Sequence, residues 1–98
     1  DALTTGTSNT GLGYNSGSQV TTASQSTLVG ANAGTSVTTG SDNTAFGYDA
    51  LRSCVTGIQN TALGRSALSN HTGSLTVAVG QSALFYNQTA ANCAVVLL

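Results

Sequence analysis

The chain has 98 residues, a length typical of one small domain, and only two Arg and three Asp carry charge. A typical soluble domain is about a quarter charged. The net charge of -1 gives no electrostatic attraction to nucleic acid or to an anionic membrane, and no apolar run is long enough to insert into a bilayer.

The sequence repeats with a period of about 17 residues. The glycine that closes "NTAFG" anchors each repeat, and a second marker, the last residue of "TTG", keeps the same spacing along the whole chain. Two markers in step predict a repeat protein of six rungs in a single domain, residues 1–98. The anchors are Gly13, Gly30, Gly47, Gly64, Gly80 and Val96.

A short β-strand is predicted just before each anchor, because Thr-Ala-Leu-Gly alternates over two faces and Thr and Val favour strands. Gly, Asn and Ser between the strands are turn formers. We therefore expect an all-β fold, a parallel β-solenoid or β-roll whose rungs stack about 4.8 Å apart. In chain order the strands end at Leu12, Val29, Phe46, Leu63, Val79 and Val95.

Equivalent positions of successive rungs form columns along the axis. We expect the large apolar column that closes the strands to point inward, and the Ala column and the anchor glycines to face the other way. Asn opens most repeats and is expected to form a ladder of stacked side-chain amides. The members of this ladder are Asn9, Asn43, Asn60 and Asn92.

The repeat "NTAFGYDAL" with its "VTG" turn resembles two groups of proteins. "TVAVG" at Thr76 to Gly80 is similar to the head repeats of trimeric autotransporter adhesins, and "NTALG" followed by an Ala-Leu pair is similar to fibre and surface proteins of phages and large algal viruses. The resemblance implies a homotrimeric, elongated surface protein that attaches to a host through glycans. The thin core of a lone chain also indicates packing against other copies, for which a dimer or a longer self-sufficient solenoid are the alternatives.

On this basis we expect a non-enzymatic structural and attachment module, on a virion or cell surface, that forms part of a longer fibre and needs no cofactor. A purely structural spacer and an ice-binding solenoid are the alternatives. The Thr column suggests ice binding, but the expected burial of the neighbouring apolar column argues against it.

The residues that vary between rungs are the candidates for ligand contact. Aromatic faces stack on the CH groups of sugars, and Arg, Asn and Asp bind their hydroxyls. Packing between chains is the favoured alternative role for the surface aromatics. If the chain has a ligand face, the predicted residues are Tyr48, Asp49, Arg52 and Arg65.

Signals for catalysis and metal binding are weak. The one His, His71, is expected in an exposed turn, and no metal site is predicted. Cys54 and Cys93 occupy different columns, two to three rungs apart, so a disulfide within one chain is not expected, while pairing between chains stays open. Asn70 and Asn87 begin possible glycosylation sequons, which a sequence this rich in Asn and Thr also produces by chance.

Overall fold

The fold is an all-β parallel solenoid, described by the computed structural model for residues 6–85. Five strands form one parallel sheet in chain order, and successive strands begin 17, 17, 17 and 16 residues apart. The strands are β1 (Thr10–Leu12), β2 (Thr27–Val29), β3 (Thr44–Phe46), β4 (Thr61–Leu63) and β5 (Val77–Val79). The sixth rung, with Asn92, Val95 and Val96, lies outside the described residues.

The strand register is the one that the repeat columns predict. Thr10 pairs with Thr27, Thr27 with Thr44, and Thr44 with Thr61, and the two positions that follow are in step with them. In the last pair Thr61 meets Val77, so the shorter fourth connection does not shift the register of the sheet. The repeat period and the parallel architecture are therefore confirmed.

The predicted direction of the two strand columns is wrong. Ala45, Ala62 and Ala78 are fully buried, whereas Leu12 is 67% exposed and Phe46 is 53% exposed. The inward and outward columns are thus exchanged. Period-2 alternation shows that the two columns face opposite sides, but it does not identify the inner side. The large apolar column is Leu12, Val29, Phe46, Leu63 and Val79, of which Val29 and Val79 are half-buried.

Small residues face inward on the strands because large ones enter the core from the opposite side of the coil. Leu51 and Leu68, from the recurrent Ala-Leu pairs, are fully buried, and they leave space only for Ala45 and Ala62 on the strands. The core is therefore narrow and close-packed, with one large aliphatic side chain and several small ones in each of these coils.

The second coil reverses this division of volume. Leu28 stands on the strand where the next coils have Ala, and Gly34 stands where they have Leu. A Cβ atom built on Gly34 would lie 2.6 Å from Leu28 Cδ2, and one built on Gly17 would lie 2.9 Å from Leu28 Cδ1. Leu28 thus fills the volume that two glycines leave open, and the two columns compensate for each other.

Asn side chains join the first coil to the second, the third to the fourth and the fourth to the fifth by hydrogen bonds to backbone groups, and Ser26 takes this place between the second and the third. Asn43 Oδ1 accepts a hydrogen bond from the N–H of Asn60 at 3.0 Å, and Asn43 Nδ2 donates to the carbonyl of Gly57 at 2.8 Å. Asn9 repeats the pattern with the N–H of Ser26 (3.0 Å) and the carbonyl of Ala23 (2.7 Å). These side-chain hydrogen bonds therefore satisfy the buried backbone N–H and carbonyl groups at the bends between strands.

The anchor position requires glycine for two reasons. Gly47 has φ +141°, in the region that side chains disfavour, and a Cβ atom there would lie 2.6 Å from the carbonyl oxygen of Gly64. The same close approach of backbones recurs at Gly30 and Gly64. Coils can stack at strand spacing here only because no side chain intervenes.

Among residues 6–85 the structure has no helix of the length and hydrophobicity needed to cross a membrane.

Candidate functional site: an exposed aromatic ridge

The residue after each anchor glycine lies outside the core, and these residues form one column along the axis. We call this column the ridge; its members are Tyr14, Ala31, Tyr48, Arg65 and Gln81. Tyr14 is 77% exposed and Tyr48 is 48% exposed. Because each strand ends at a bend on glycine, the ridge begins at the same point of every coil, and its side chains are held one coil apart.

Arg65 and Tyr48 are brought into contact by the stacking of their coils. The guanidinium carbon of Arg65 lies over the Tyr48 ring, 5.6 Å from its centroid. A cation–π contact of this kind contributes about 0.5–1 kcal/mol at an exposed site. Its main consequence is geometric, since it restrains an aromatic ring that is 48% exposed.

Asp49 adjoins the ridge, on the next column. Its backbone has φ +59°, and its N–H donates to the carbonyl of Ala31 at 3.0 Å. The Asp49 Oδ1 atom is buried and accepts no hydrogen bond from any described residue. This carboxylate belongs to the residue that directly follows Tyr48 in the chain.

Arg52 lies three residues beyond Asp49 and is exposed. Its carbonyl accepts a hydrogen bond from the N–H of Ser36, but within residues 6–85 no hydrogen bond or ion pair joins its side chain to Asp49. Of the four predicted ligand residues, the structure brings Tyr48 and Arg65 into contact, and within residues 6–85 no side-chain contact joins Asp49 or Arg52 to them.

Beside the ridge, the outer face of the sheet carries two outward columns, which we call the strand face. One column is Thr and the other is the large apolar column. The strand face contains Thr10, Leu12, Thr27, Val29, Thr44, Phe46, Thr61, Leu63, Val77 and Val79. None of these side chains is charged, so another uncharged surface can pack against the strand face without burying a charge.

His71 is buried, and the prediction of an exposed turn is wrong. Seventeen residues before it stands Cys54, and Val37 and Val20 precede that in the same column, all of them buried core positions. Counting back along the repeat is the signal that places His71 in the core. It occupies a position that is hydrophobic in the preceding coils, and its Nε2 atom forms a hydrogen bond with Asn60.

Asn60 orients the His71 ring through a hydrogen bond. Asn60 Nδ2 donates to the carbonyl of Gly73 at 2.8 Å, and Asn60 Oδ1 accepts the N–H of Thr76 at 3.1 Å, which sets the orientation of the amide. His71 Nε2 lies 3.2 Å from the same Oδ1 and must therefore donate. The side chains of this cluster are fully buried, so a substrate has no access to them.

Cys54 contacts this cluster through its sulfur, 3.6 Å from Asn60 Nδ2. Burial raises the pKa of the Cys54 thiol, against the smaller lowering effect of hydrogen bonds from Gly57 N–H and Asn60. A buried thiol held protonated behaves as a small apolar side chain. In the described part of the chain no three His, Cys, Asp or Glu side chains come together as metal ligands. Cys93 lies outside the described residues.

Asn70, the first of the two sequon residues, is half-buried, and its N–H donates to the carbonyl of Phe85 at 3.1 Å. Asn87 lies outside the described residues. The sequon at Asn70 is thus part of a hydrogen-bonded turn of the solenoid.

Comparison with known proteins found no matching family model, no similar curated protein and no similar solved structure.

Proposed function

We propose that this chain is a structural and host-attachment module of a homotrimeric fibre or adhesin on a virion or cell surface, and that it binds surface glycans. The observation that carries the proposal is the separation of two outward surfaces on one rod. The uncharged strand face suits packing between copies. The ridge, with two tyrosines and an arginine, offers aromatic and hydrogen-bonding groups to a sugar.

The proposed mechanism is mechanical and multivalent. Each coil is joined to the next by parallel strand pairing and by an Asn or Ser side chain, so a ligand held on the ridge transmits force along a continuous hydrogen-bonded stack. Three copies present the ridge three times, and the raised effective concentration offsets the weakness of each single site. No catalytic step and no cofactor enter this mechanism.

A glycan array tests the attachment function. The wild-type chain should be retained by a defined subset of surface oligosaccharides, and the variant Tyr48→Ala with Arg65→Ala should lose that retention, because both ring and guanidinium are removed from the ridge. The control is Thr56→Ala, an exposed change away from the ridge. Equal retention of the wild type and the double variant would contradict the proposal, and no retention of the wild type would leave the spacer alternative in its place.

A second candidate, an ice-binding solenoid, gains one observation. The apolar column lies on the same outer face as the Thr column, so the expected burial that argues against ice binding does not hold. Against it, Phe46 projects from the middle of that face, and Val77 interrupts the Thr column. Thermal hysteresis of the freezing point in the presence of the wild-type chain would favour this candidate over the attachment module.

A further inference from the structure

The ridge has a gap in its second coil. Tyr14 and Tyr48 extend from the first and third coils, and between them the ridge residue is Ala31, whose side chain ends at Cβ. The backbone runs without a break beneath the gap, because the N–H of Asn32 donates to the carbonyl of Tyr14 at 2.8 Å and the N–H of Asp49 donates to that of Ala31 at 3.0 Å. The gap therefore lies above Ala31, with one tyrosine side chain in the coil before it and one in the coil after it.

The width of the gap follows from the spacing of the coils. Tyr14 and Tyr48 are two coils apart, which is about 9.6 Å at the usual distance between strands. A ring that stacks against an aromatic side chain lies with its centroid about 4.5 Å or more from it. A ring held between two aromatic walls thus needs about 9 Å, which the gap provides for one ring and not for two.

The contact with Arg65 turns one face of Tyr48 toward the gap. Arg65 belongs to the coil after Tyr48, and its guanidinium covers the ring face on that side. The opposite face of the Tyr48 ring is directed back toward Ala31. Arg65 therefore acts as a support for one wall, whereas its charge lies behind the ring and outside the gap.

The edge of the gap offers polar groups, two amides and a carboxylate. Asn15 and Asn32 follow Tyr14 and Ala31 directly in the chain, and Asp49 takes the same place after Tyr48. Amides both donate and accept, which suits hydroxyl and acetamido groups. No cationic side chain precedes Tyr48 within residues 6–85, so the gap has no group on that side that selects a phosphate or a carboxylate.

From these features we infer that the gap between Tyr14 and Tyr48 is a binding site for one neutral pyranose ring, a hexose or N-acetylhexosamine, stacked between the two tyrosines above Ala31. The inference rests on the proposed attachment function and specifies its ligand class. It also adds Tyr14 and Ala31 to the residues that contact the sugar. A pyranose presents CH groups on both faces and hydroxyls around its edge, which is the complement of two aromatic walls and an amide rim.

The test fills the gap without removing either wall. Ala31→Tyr continues the column of tyrosines, and Ala31 does not have the positive φ that would oppose a large side chain. On an array of neutral hexose and N-acetylhexosamine oligosaccharides, the wild type should be retained, and Ala31→Tyr and Tyr14→Ala should each weaken retention at least about tenfold. Thr56→Tyr is the matched control, because it adds a tyrosine at an exposed position away from the ridge, and it should bind as the wild type does.

Each other outcome overturns a defined part of the inference. If Ala31→Tyr binds as well as the wild type or better, the sugar lies along the top of the ridge and the gap is not the site, although the attachment function stands. If the wild type is retained by no glycan, the attachment function and this site both fail. If adenosine binds the wild type and Ala31→Tyr abolishes that binding while no sugar is retained, the gap selects a planar base and the assignment to a pyranose is wrong.

Discussion

Replacing Asn60 with Ala should destabilise the solenoid by about 3–5 kcal/mol, because each buried polar group that loses its partner costs about 1–3 kcal/mol. The change removes the donor to the Gly73 carbonyl and the acceptor of the Thr76 N–H and of His71 Nε2. All of these groups lie at the junction of two coils. Equilibrium denaturation of the wild type and the variant, followed by circular dichroism, measures the loss of unfolding free energy.

Two comparison variants show whether the ladder position itself is responsible. Asn60→Ser keeps a hydroxyl acceptor, as Ser26 does naturally where its Oγ accepts the N–H of Asn43 at 3.3 Å, and should lose less than Asn60→Ala. Thr56→Ala, on the exposed surface, should change the free energy by no more than about 0.5 kcal/mol. If Asn60→Ala were as mild as Thr56→Ala, the side-chain connection between coils would not stabilise the fold.

Leu28 and Gly34 should show strong energetic coupling. Leu28→Ala alone should cost about 2–5 kcal/mol through the cavity it leaves, and Gly34→Leu alone should cost about 1–3 kcal/mol through overpacking against Leu28. The double variant restores the arrangement of the third and fourth coils, with Ala on the strand and Leu opposite. The sum of the two single losses should therefore exceed the loss of the double variant by about 1–3 kcal/mol.

The control for this cycle is a pair of residues that do not share a cavity. Leu28→Ala combined with Leu68→Ala, two coils away, should lose the sum of the single effects, as distant sites do. If the losses of unfolding free energy from the Leu28 and Gly34 changes were also simply additive, these two side chains would not compete for the same core volume, contrary to the account.

The fold is predictable because the length of each solenoid coil determines the period of the sequence repeat. Residues 17 apart become neighbours, so the period alone aligns Thr10, Thr27 and Thr44 correctly. The inner side of the strand does not follow from alternation, since Ala45 and Phe46 are both apolar. The inner side of the strand is determined by Leu51, later in the same coil. The buried Leu51 side chain leaves space in the core only for a small residue on the strand.

The candidate site is predictable in part. The variation of Tyr48 and Arg65 between rungs points to the ridge, but a column shows which residues are neighbours and not which of them touch. The contact between Tyr48 and Arg65 depends on side-chain conformation, and the lack of contacts from Arg52 to them depends on where its turn leads. The gap at Ala31 follows from the column once the outward direction of the ridge is known.

The mass of the assembly in solution tests most directly the central claim that the strand face packs against other copies. Light scattering at concentrations well above micromolar should give about 29 kDa, three times the 9.7 kDa of one chain. Phe46→Ser with Leu63→Ser should reduce it to 9.7 kDa and keep the circular dichroism spectrum, because both side chains are exposed in the single chain. A wild-type mass of 9.7 kDa, or a 29 kDa assembly indifferent to the two substitutions, would contradict the account.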